Sequence, residues 1–248
     1  MLVHLDAEAG ATPIDSPAYP PPPSHYDDVT MQMVHFTTAP ENIPRMLPGP
    51  LTPDPSGRCC AFAIEAKFCA QLGAFREVGV AVGCVYDQRP GYFLSSHFVN
   101  TAETIAPGRE LYGSPKKYAE ITVDQQGGEW TTTVVRTGIP IIQINMRLLE
   151  PAQPNQIPSL FPLYKLRMIP SATGGRPDVN QLLCGGAPSN MKSGRQFQGP
   201  GVVNFTPSVA GAYWKLRPLS YETAIYQRCS YEQGLSEVVL EYSPESLD

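Results

Sequence analysis

Short runs of apolar residues, many of them alternating with polar ones and separated by Pro or Gly, recur along the 248-residue chain. Such runs indicate β-strands. The predicted strands are residues 30–36, 59–68, 77–86, 92–99, 130–149 with a break at 138–140, 164–169, 202–205 and 236–242. Many short strands with Pro/Gly turns are typical of an antiparallel sheet system or barrel. The expected fold is therefore mostly β with a few short helices, in the α+β class.

The N-terminal part has a different composition, because residues 12–25 are rich in proline and lack apolar periodicity. We expect residues 1–25 to form an extended arm, polyproline-like at Pro20–Pro23, that packs along a neighbouring subunit. Residues 26–248 contain no internal repeat or linker and are predicted to form one domain. A short helix is predicted after Thr38, with Thr38 as its cap and Pro40 in its first turn.

Charge excludes several classes of function. Only 17% of residues are charged, the net charge is −5, and no basic stripe alternates with aromatic residues. Nucleic acid is therefore not an expected partner.

The N-terminus does not resemble a signal peptide, and no apolar run has the length of a membrane helix. We therefore expect a soluble, cytoplasmic protein without membrane contact.

Motifs for metals and nucleotides are missing from the sequence. The six cysteines have no C-x-x-C spacing and the four histidines are scattered, so no metal site is predicted and buried free thiols are expected. No phosphate-binding glycine loop occurs either. We therefore expect no cofactor.

Two adjacent lysines, Lys116 and Lys117, end the segment GRELYGSPKK at residues 108–117. A lysine pair is usually a solvated surface feature, but a lysine amine is also a nucleophile for ketones. With an ordinary pKa near 10.4, only about one amine in 2500 is neutral at pH 7. Lowering the pKa to roughly 7 takes about 4 to 5 kcal/mol, from an apolar pocket or a second cation nearby. The apolar segments around this pair predict such an environment.

The segment GRELYGSPKK resembles the signature of the acetoacetate decarboxylase-like family, which is a standard example of this activation. The segments at 16–20 (SPAYP), 47–51 (LPGPL), 164–170 (YKLRMIP) and 199–200 (GP) resemble family landmarks in the same order. The resemblance covers most of the chain. It implies the sheet-based fold of that family for the domain at 26–248, a catalytic role for it, and a homo-oligomer.

The resemblance also implies roles for individual residues. Lys116 corresponds to the lysine that forms the Schiff base, and Lys117 to the neighbour that helps to set its environment. Glu77 corresponds to an active-site glutamate that positions substrate or moves a proton; the alternative is that it only ends a strand. Arg109 and Glu110 are expected to brace the loop that presents Lys116.

Two departures from the family pattern bear on the substrate. Val29 stands where the decarboxylases have an arginine, and Phe62 stands near the place of a second glutamate. Glu65 and His97 are possible replacements, although a lone histidine is more often structural. A pocket without the arginine and glutamate should not treat acetoacetate as those enzymes do.

Three functions remain open. The first is a cofactor-free lyase that forms a Schiff base with a small keto acid and decarboxylates a β-keto acid other than acetoacetate. The second is an aldolase-dehydratase that condenses pyruvate or a related keto acid with an aldehyde through the same lysine. The third is a ligand-binding relative without catalysis.

Overall fold

The computed structural model describes residues 11–13, 15–70, 72–153, 157–185 and 187–242. Strands dominate these residues. Their bounds are β1 Ser24–Thr37, β2 Thr52–Pro53, β3 Arg58–Cys69, β4 Phe75–Tyr86, β5 Arg89–Val99, β6 Lys116–Tyr118, β7 Glu120–Gln126, β8 Glu129–Arg136, β9 Ile139–Arg147, β10 Glu150–Pro151, β11 Leu163–Ile169, β12 Val179–Gly185, β13 Ser189–Gly199, β14 Gly201–Phe205, β15 Ser220–Tyr221, β16 Ala224–Gln233 and β17 Glu237–Glu241. The helical segments are α1, Ile105–Glu110, and 3-10 turns at Pro40–Asn42, Pro44–Met46 and Tyr213–Lys215.

The described strands form two sheets. The larger sheet has the central order β10-β13-β16-β1-β3-β4-β5-β11-β12-β17, with β2, β6 and β15 pairing at its sides, and the smaller one has the order β14-β9-β8-β7. Pairing is antiparallel except where β5 meets β6 and β11, which run parallel to it. The mostly β, mixed α+β class is confirmed. The described strands of each sheet form an open order rather than a closed barrel.

The main core lies between the two sheets. It joins residues of the large sheet, such as Val34 and Val80, to residues of the small sheet, such as Val134 and Ile144. A second apolar cluster, which includes Phe62 and Leu94, covers the opposite face of the large sheet. Burial of both faces explains why these strands read as nearly continuous apolar runs.

Strand β3 shows how the sequence distributes its side chains. Successive residues of a strand point to opposite faces, so Cys59 and Ala61 enter the main core while Cys60 and Phe62 enter the second cluster. Both cysteines are free and buried, and burial raises the pKa of the Cys59 thiol to about 12. The two adjacent cysteines are therefore packing residues.

Each predicted strand corresponds to an observed one. The segment after Thr38 is helical as predicted, with Pro40 in its first turn, but it consists of two 3-10 turns. The predicted cap is wrong, because the Thr38 side chain donates to the backbone oxygen of Leu216. Prolines at 40 and 44 both open such turns. Helix α1 and strands β2, β6, β7, β10, β12, β13, β15 and β16 were not predicted. Strand β13 is largely exposed and polar and so lacks an apolar signal.

Within its described residues, the N-terminal arm contacts the rest of its own chain through Tyr19. Residues 11–13 and 15–23 contain no strand or helix, and β1 begins at Ser24. Tyr19 is buried, and its hydroxyl donates to Glu110 Oε2 at 2.6 Å. Packing of the arm along a second subunit stays a prediction. The described helices include none that is long and apolar enough to cross a membrane.

Candidate active site

The segment with the paired lysines folds as α1, a tight turn and β6, and its glycines make room for Lys116. A Cβ on Gly108 would lie 2.4 Å from Cδ of Lys116, so the lysine stem crosses the helix where a side chain is missing. Gly113 has a φ of +61°, and a Cβ there would lie 2.8 Å from the backbone nitrogen of Arg167. Ser114 N donates to the Gly108 oxygen at 2.8 Å, which closes the turn. The spacing of this motif therefore sets the path of the Lys116 side chain.

Strand pairing brings Lys116 together with two other predicted residues. Lys116 in β6 is level with His97 in β5, and β5 pairs on its other side with β4, which carries Glu77. Lys116 Nζ lies 3.0 Å from Glu77 Oε2, and His97 Nε2 lies 3.2 Å from the same oxygen, although neither contact has hydrogen-bond geometry. The side chains of Lys116, Glu77 and His97 are 9%, 12% and 6% exposed, respectively. They form a buried amine–carboxylate–imidazole cluster.

The charges of this cluster follow from burial and proximity. Burial alone would raise the pKa of Glu77, but the Lys116 ammonium and His97 outweigh it and hold that pKa well below its usual range. Burial lowers the pKa of His97, and the attraction of Glu77 only partly opposes this. At neutral pH the cluster therefore contains an ionised Glu77 and a neutral His97.

The cluster lies in a cavity of about 510 Å³. The wall is mainly apolar and includes Met31, Met33, Phe62, Ile64, Leu94 and Leu163. Among the described residues, the charged side chains of the lining are Glu77, Lys116 and Lys165, with no arginine. Binding sites for small molecules commonly have this composition, in which a few polar groups converge within an apolar wall.

Lys165 is the residue of this site that the sequence analysis missed. It lies in β11, is only 6% exposed, and its Nζ is 5.7 Å from the centre of the Tyr112 ring. Burial and the nearby Lys116 lower the pKa of Lys165 to about 8. The signal in the sequence was a lysine on the inward face of an alternating strand, between the buried Leu163 and the half-buried Arg167.

Lys117 lies away from the cavity. In a strand, adjacent side chains point to opposite faces, and Lys117 Nζ donates instead to the backbone oxygen of Ala210 at 2.6 Å. Partial burial and the nearby Arg136 and Arg109 lower its pKa. The cation that shares the cavity with Lys116 is therefore Lys165. An influence of Lys117 on Lys116 stays a prediction.

Arg109 and Glu110 lie outside the cavity and hold the loop. Arg109 Nη1 donates to the backbone oxygen of Lys116 at 3.4 Å. Glu110 accepts from Tyr19 through its side chain and from Arg167 through its backbone oxygen. Both contacts link the lysine loop to other parts of the chain.

Some of the positions considered for the missing family residues lie at the cavity and others lie outside it. Phe62 lines the cavity, and its ring centre is 6.0 Å from that of His97. Val29 is fully buried in a separate apolar cluster with Tyr26 and Phe75 and does not line the cavity. Glu65 pairs with Arg76 at 2.7 Å, outside the cavity. Of the two candidate replacements, only His97 reaches the cluster.

Known proteins share this sequence pattern and fold. Residues 11–243 match the family profile described as Acetoacetate decarboxylase (ADC). Acetoacetate decarboxylase 3 of Mesorhizobium japonicum is 24% identical over 241 residues, which cover 94% of this chain and 91% of that protein. The crystal structure of acetoacetate decarboxylase from Legionella pneumophila superposes with a TM-score of 0.84 at 20% identity, covering 92% of this chain and 91% of the other.

A further solved structure with the same fold is the enduracididine biosynthesis enzyme MppR, complexed with the condensation product of pyruvate and imidazole 4-carboxaldehyde. It superposes with a TM-score of 0.79 at 18% identity and covers 94% of this chain and 97% of its own. The match to the family profile extends from the N-terminal arm to the last described strand. The chain therefore belongs to the acetoacetate decarboxylase family.

Proposed function

We propose that the protein is a carbon–carbon lyase in which Lys116 forms a Schiff base with a keto acid. The observation that carries this proposal is the buried Lys116 amine, which faces an apolar cavity with the Glu77 carboxylate 3.0 Å away. An amine in such a site is protected from solvent and lies beside the charge that stabilises an iminium ion. A cytoplasmic location and a homo-oligomeric assembly are further expectations of this proposal.

The reaction follows from the chemistry of the amine. The free amine of Lys116 adds to the ketone carbon, and loss of water with uptake of one proton gives a protonated imine. The bond to the β-carboxylate then breaks, its electron pair moves to the imine nitrogen, and carbon dioxide leaves an enamine. Protonation of the enamine carbon and hydrolysis of the imine release the product and restore the amine. Glu77 balances the positive charge of the protonated imine before decarboxylation and again after the enamine carbon is protonated.

Neutral His97 is placed to take part in the proton transfers. Its Nε2 is 3.2 Å from Glu77 Oε2, and the ring is held in the wall of the cavity. A neutral imidazole can both donate and accept a proton, whereas the ionised Glu77 can only accept. We assign His97 as the group that moves a proton to or from the bound substrate, with Glu77 holding it in place.

The size of the cavity favours a substrate larger than acetoacetate. A volume of about 510 Å³ is in the range of sites that hold drug-sized molecules, and the wall is mostly apolar. A β-keto acid with a longer chain than acetoacetate fits this cavity and is the preferred substrate class.

Condensation is the second candidate. The same cavity has room for two reactants, and MppR has the same fold with a condensation product bound. In that reaction the enamine formed from a 2-keto acid on Lys116 attacks an aldehyde, and water is then lost. Both reactions share the same first step, the imine on Lys116.

Trapping with borohydride tests that shared step. Wild-type protein, Lys116→Ala and the exposed control Lys67→Ala are incubated with a panel of keto acids and borohydride, and the intact mass is measured. We expect one reduced adduct on the wild type and on Lys67→Ala, mapped to Lys116, and none on Lys116→Ala. The proposed chemistry is wrong if Lys116→Ala is labelled equally or if no keto acid labels the wild type. Carbon dioxide release and aldehyde consumption then separate the two reactions.

A further inference from the structure

We propose that Lys165 binds a carboxylate of the substrate that is kept in the product, and so selects the substrate. This inference rests on the proposed function, because it concerns the same cavity. It goes beyond the Schiff-base chemistry in assigning a residue outside the paired lysines and in fixing a feature of the substrate.

The position of Lys165 follows from the pairing at one edge of β5. Strands β6 and β11 both run parallel to β5 on this edge, and β11 is in register through Leu163 and Tyr164. The next residue is Lys165, which therefore lines the same cavity as Lys116. Its ammonium lies against the backbone of β12, since a Cβ on Gly185 would be 3.4 Å from Lys165 Nζ. The edge thus brings two lysines from distant segments to one cavity.

The Lys165 ammonium makes no ion pair in the described part of the chain, although Glu77 attracts it from a greater distance. No carboxylate there lies within ion-pair distance, and its side chain makes no hydrogen bond to another described residue. The contact with the Tyr112 ring at 5.7 Å is weak compensation. A buried charge without a partner is costly, so the place of Lys165 in the wall points to an anion that arrives with the ligand.

The charges in the cavity agree with this assignment. Glu77 is ionised, His97 is neutral, and Lys116 and Lys165 are the two basic side chains of the described lining. When the imine forms on Lys116, Glu77 remains paired with its positive nitrogen. Lys165 is then the cation that is left over. A carboxylate of the substrate that takes no part in the reaction supplies the anion that balances it.

The carboxylate at Lys165 cannot be the one that leaves. Decarboxylation removes the negative charge of the departing group in the transition state. A cation paired with that group stabilises the bound substrate more than the transition state, and so it slows the step. A carboxylate that stays in the product keeps its charge throughout, and its contact with Lys165 does not oppose the reaction. The substrate is therefore a dicarboxylic β-keto acid for decarboxylation or a 2-keto acid for condensation.

Another role for Lys165 would be to act only through its charge on the Lys116 amine. That role affects every carbonyl compound equally, whether or not it carries a carboxylate. The experiment therefore compares two probes of similar size, 2-oxobutanoate and butanone, by borohydride trapping on Lys116. The variants are Lys165→Met and the exposed control Lys67→Met.

We expect Lys165→Met to raise the half-saturating concentration of 2-oxobutanoate roughly ten- to hundredfold, as for the loss of one charge-assisted contact. For butanone the change should stay below about threefold, and Lys67→Met should leave both probes unchanged. An equal shift for both probes, or no shift, would overturn the assignment of Lys165 while leaving the imine chemistry intact.

Two further measurements keep the inference testable. If the wild type forms no imine, the proposed function fails. Calorimetric titration with butanoate and butanamide then tests Lys165 alone: only butanoate should bind more weakly to Lys165→Met.

Decarboxylation tests the retained carboxylate. The dicarboxylic 3-oxoadipate should have a higher kcat/KM than 3-oxohexanoate, and Lys165→Met should remove that preference. The opposite preference would contradict the proposal; if neither acid releases carbon dioxide, the 2-oxobutanoate result decides.

Discussion

Replacing Lys165 by methionine should make the protein more stable. Methionine has a similar length and no charge, so it fills the same space in the wall. Folding lowers the pKa of Lys165 from 10.5 to about 8. Because one pH unit corresponds to about 1.36 kcal/mol, the burial of this ammonium destabilises the fold by about 3 kcal/mol at neutral pH. We expect the free energy of unfolding of Lys165→Met to exceed that of the wild type by a few kcal/mol.

The pH dependence provides a check on the sign. Below about pH 8 the lysine is protonated in both the folded and the unfolded protein, so the whole cost is present. Between about pH 8 and 10.5 the folded protein binds fewer protons than the unfolded one, and the wild type gains stability as the pH rises. The difference from Lys165→Met should therefore shrink by about 1.4 kcal/mol per pH unit in this interval.

Urea unfolding at pH 6.5 and pH 9.5, at one protein concentration, measures both effects. Lys67→Met is the matched control, because Lys67 is exposed in the structure and a surface substitution should change stability by no more than about 0.5 kcal/mol. The reasoning is refuted if Lys165→Met is no more stable than the wild type at pH 6.5, or if the difference is the same at both pH values.

Three other predictions concern the lysine and its surroundings. Glu77→Gln should lower turnover by about 10²- to 10³-fold, since the carboxylate that stabilises the positive imine is lost, while borohydride still labels Lys116; unchanged turnover would remove Glu77 from the mechanism. Gly108→Ala should cost about 1–3 kcal/mol in urea unfolding and reduce activity, because the new Cβ would meet the Lys116 stem at 2.4 Å, whereas Gly234→Ala, with no atom within 4 Å of its Cβ position, should not alter stability. Carbon dioxide release should show acetoacetate to be at least tenfold poorer than a longer β-keto acid, and equal rates would contradict the use of the large apolar cavity.

Strands β3, β4 and β5 could be predicted from the sequence because both of their faces are buried, which produces clear apolar runs. Strand β13 could not, since most of its residues are exposed and polar. The cap predicted at Thr38 was wrong because that side chain bonds instead to Leu216, a residue far away in the sequence. Local patterns contain no information on such a contact.

The candidate site was predicted only in part for a similar reason. Lys116, Glu77 and His97 were each identified from the sequence. Strand pairing brings Lys116 Nζ and His97 Nε2 within 3.2 Å of Glu77 Oε2. Lys165 was not identified, although its segment was recognised, because alternation shows that two faces exist but not which of them faces a cavity. Lys165 faces the cavity because β6 and β11 both lie parallel to β5 on the same edge. That arrangement depends on the topology of the whole sheet.

The identity of the second cation changes what the cavity can bind. If Lys117 shared the cavity, both cations would come from the short strand β6. Substitution of one lysine would then disturb the position of the other. Lys165 comes from a separate strand, so its charge can be removed without altering the segment that positions Lys116. One lysine can then serve bond formation while the other selects the anion. A substrate that lacks a second or retained carboxylate leaves Lys165 buried and unpaired, and this cost falls on binding before any bond is broken.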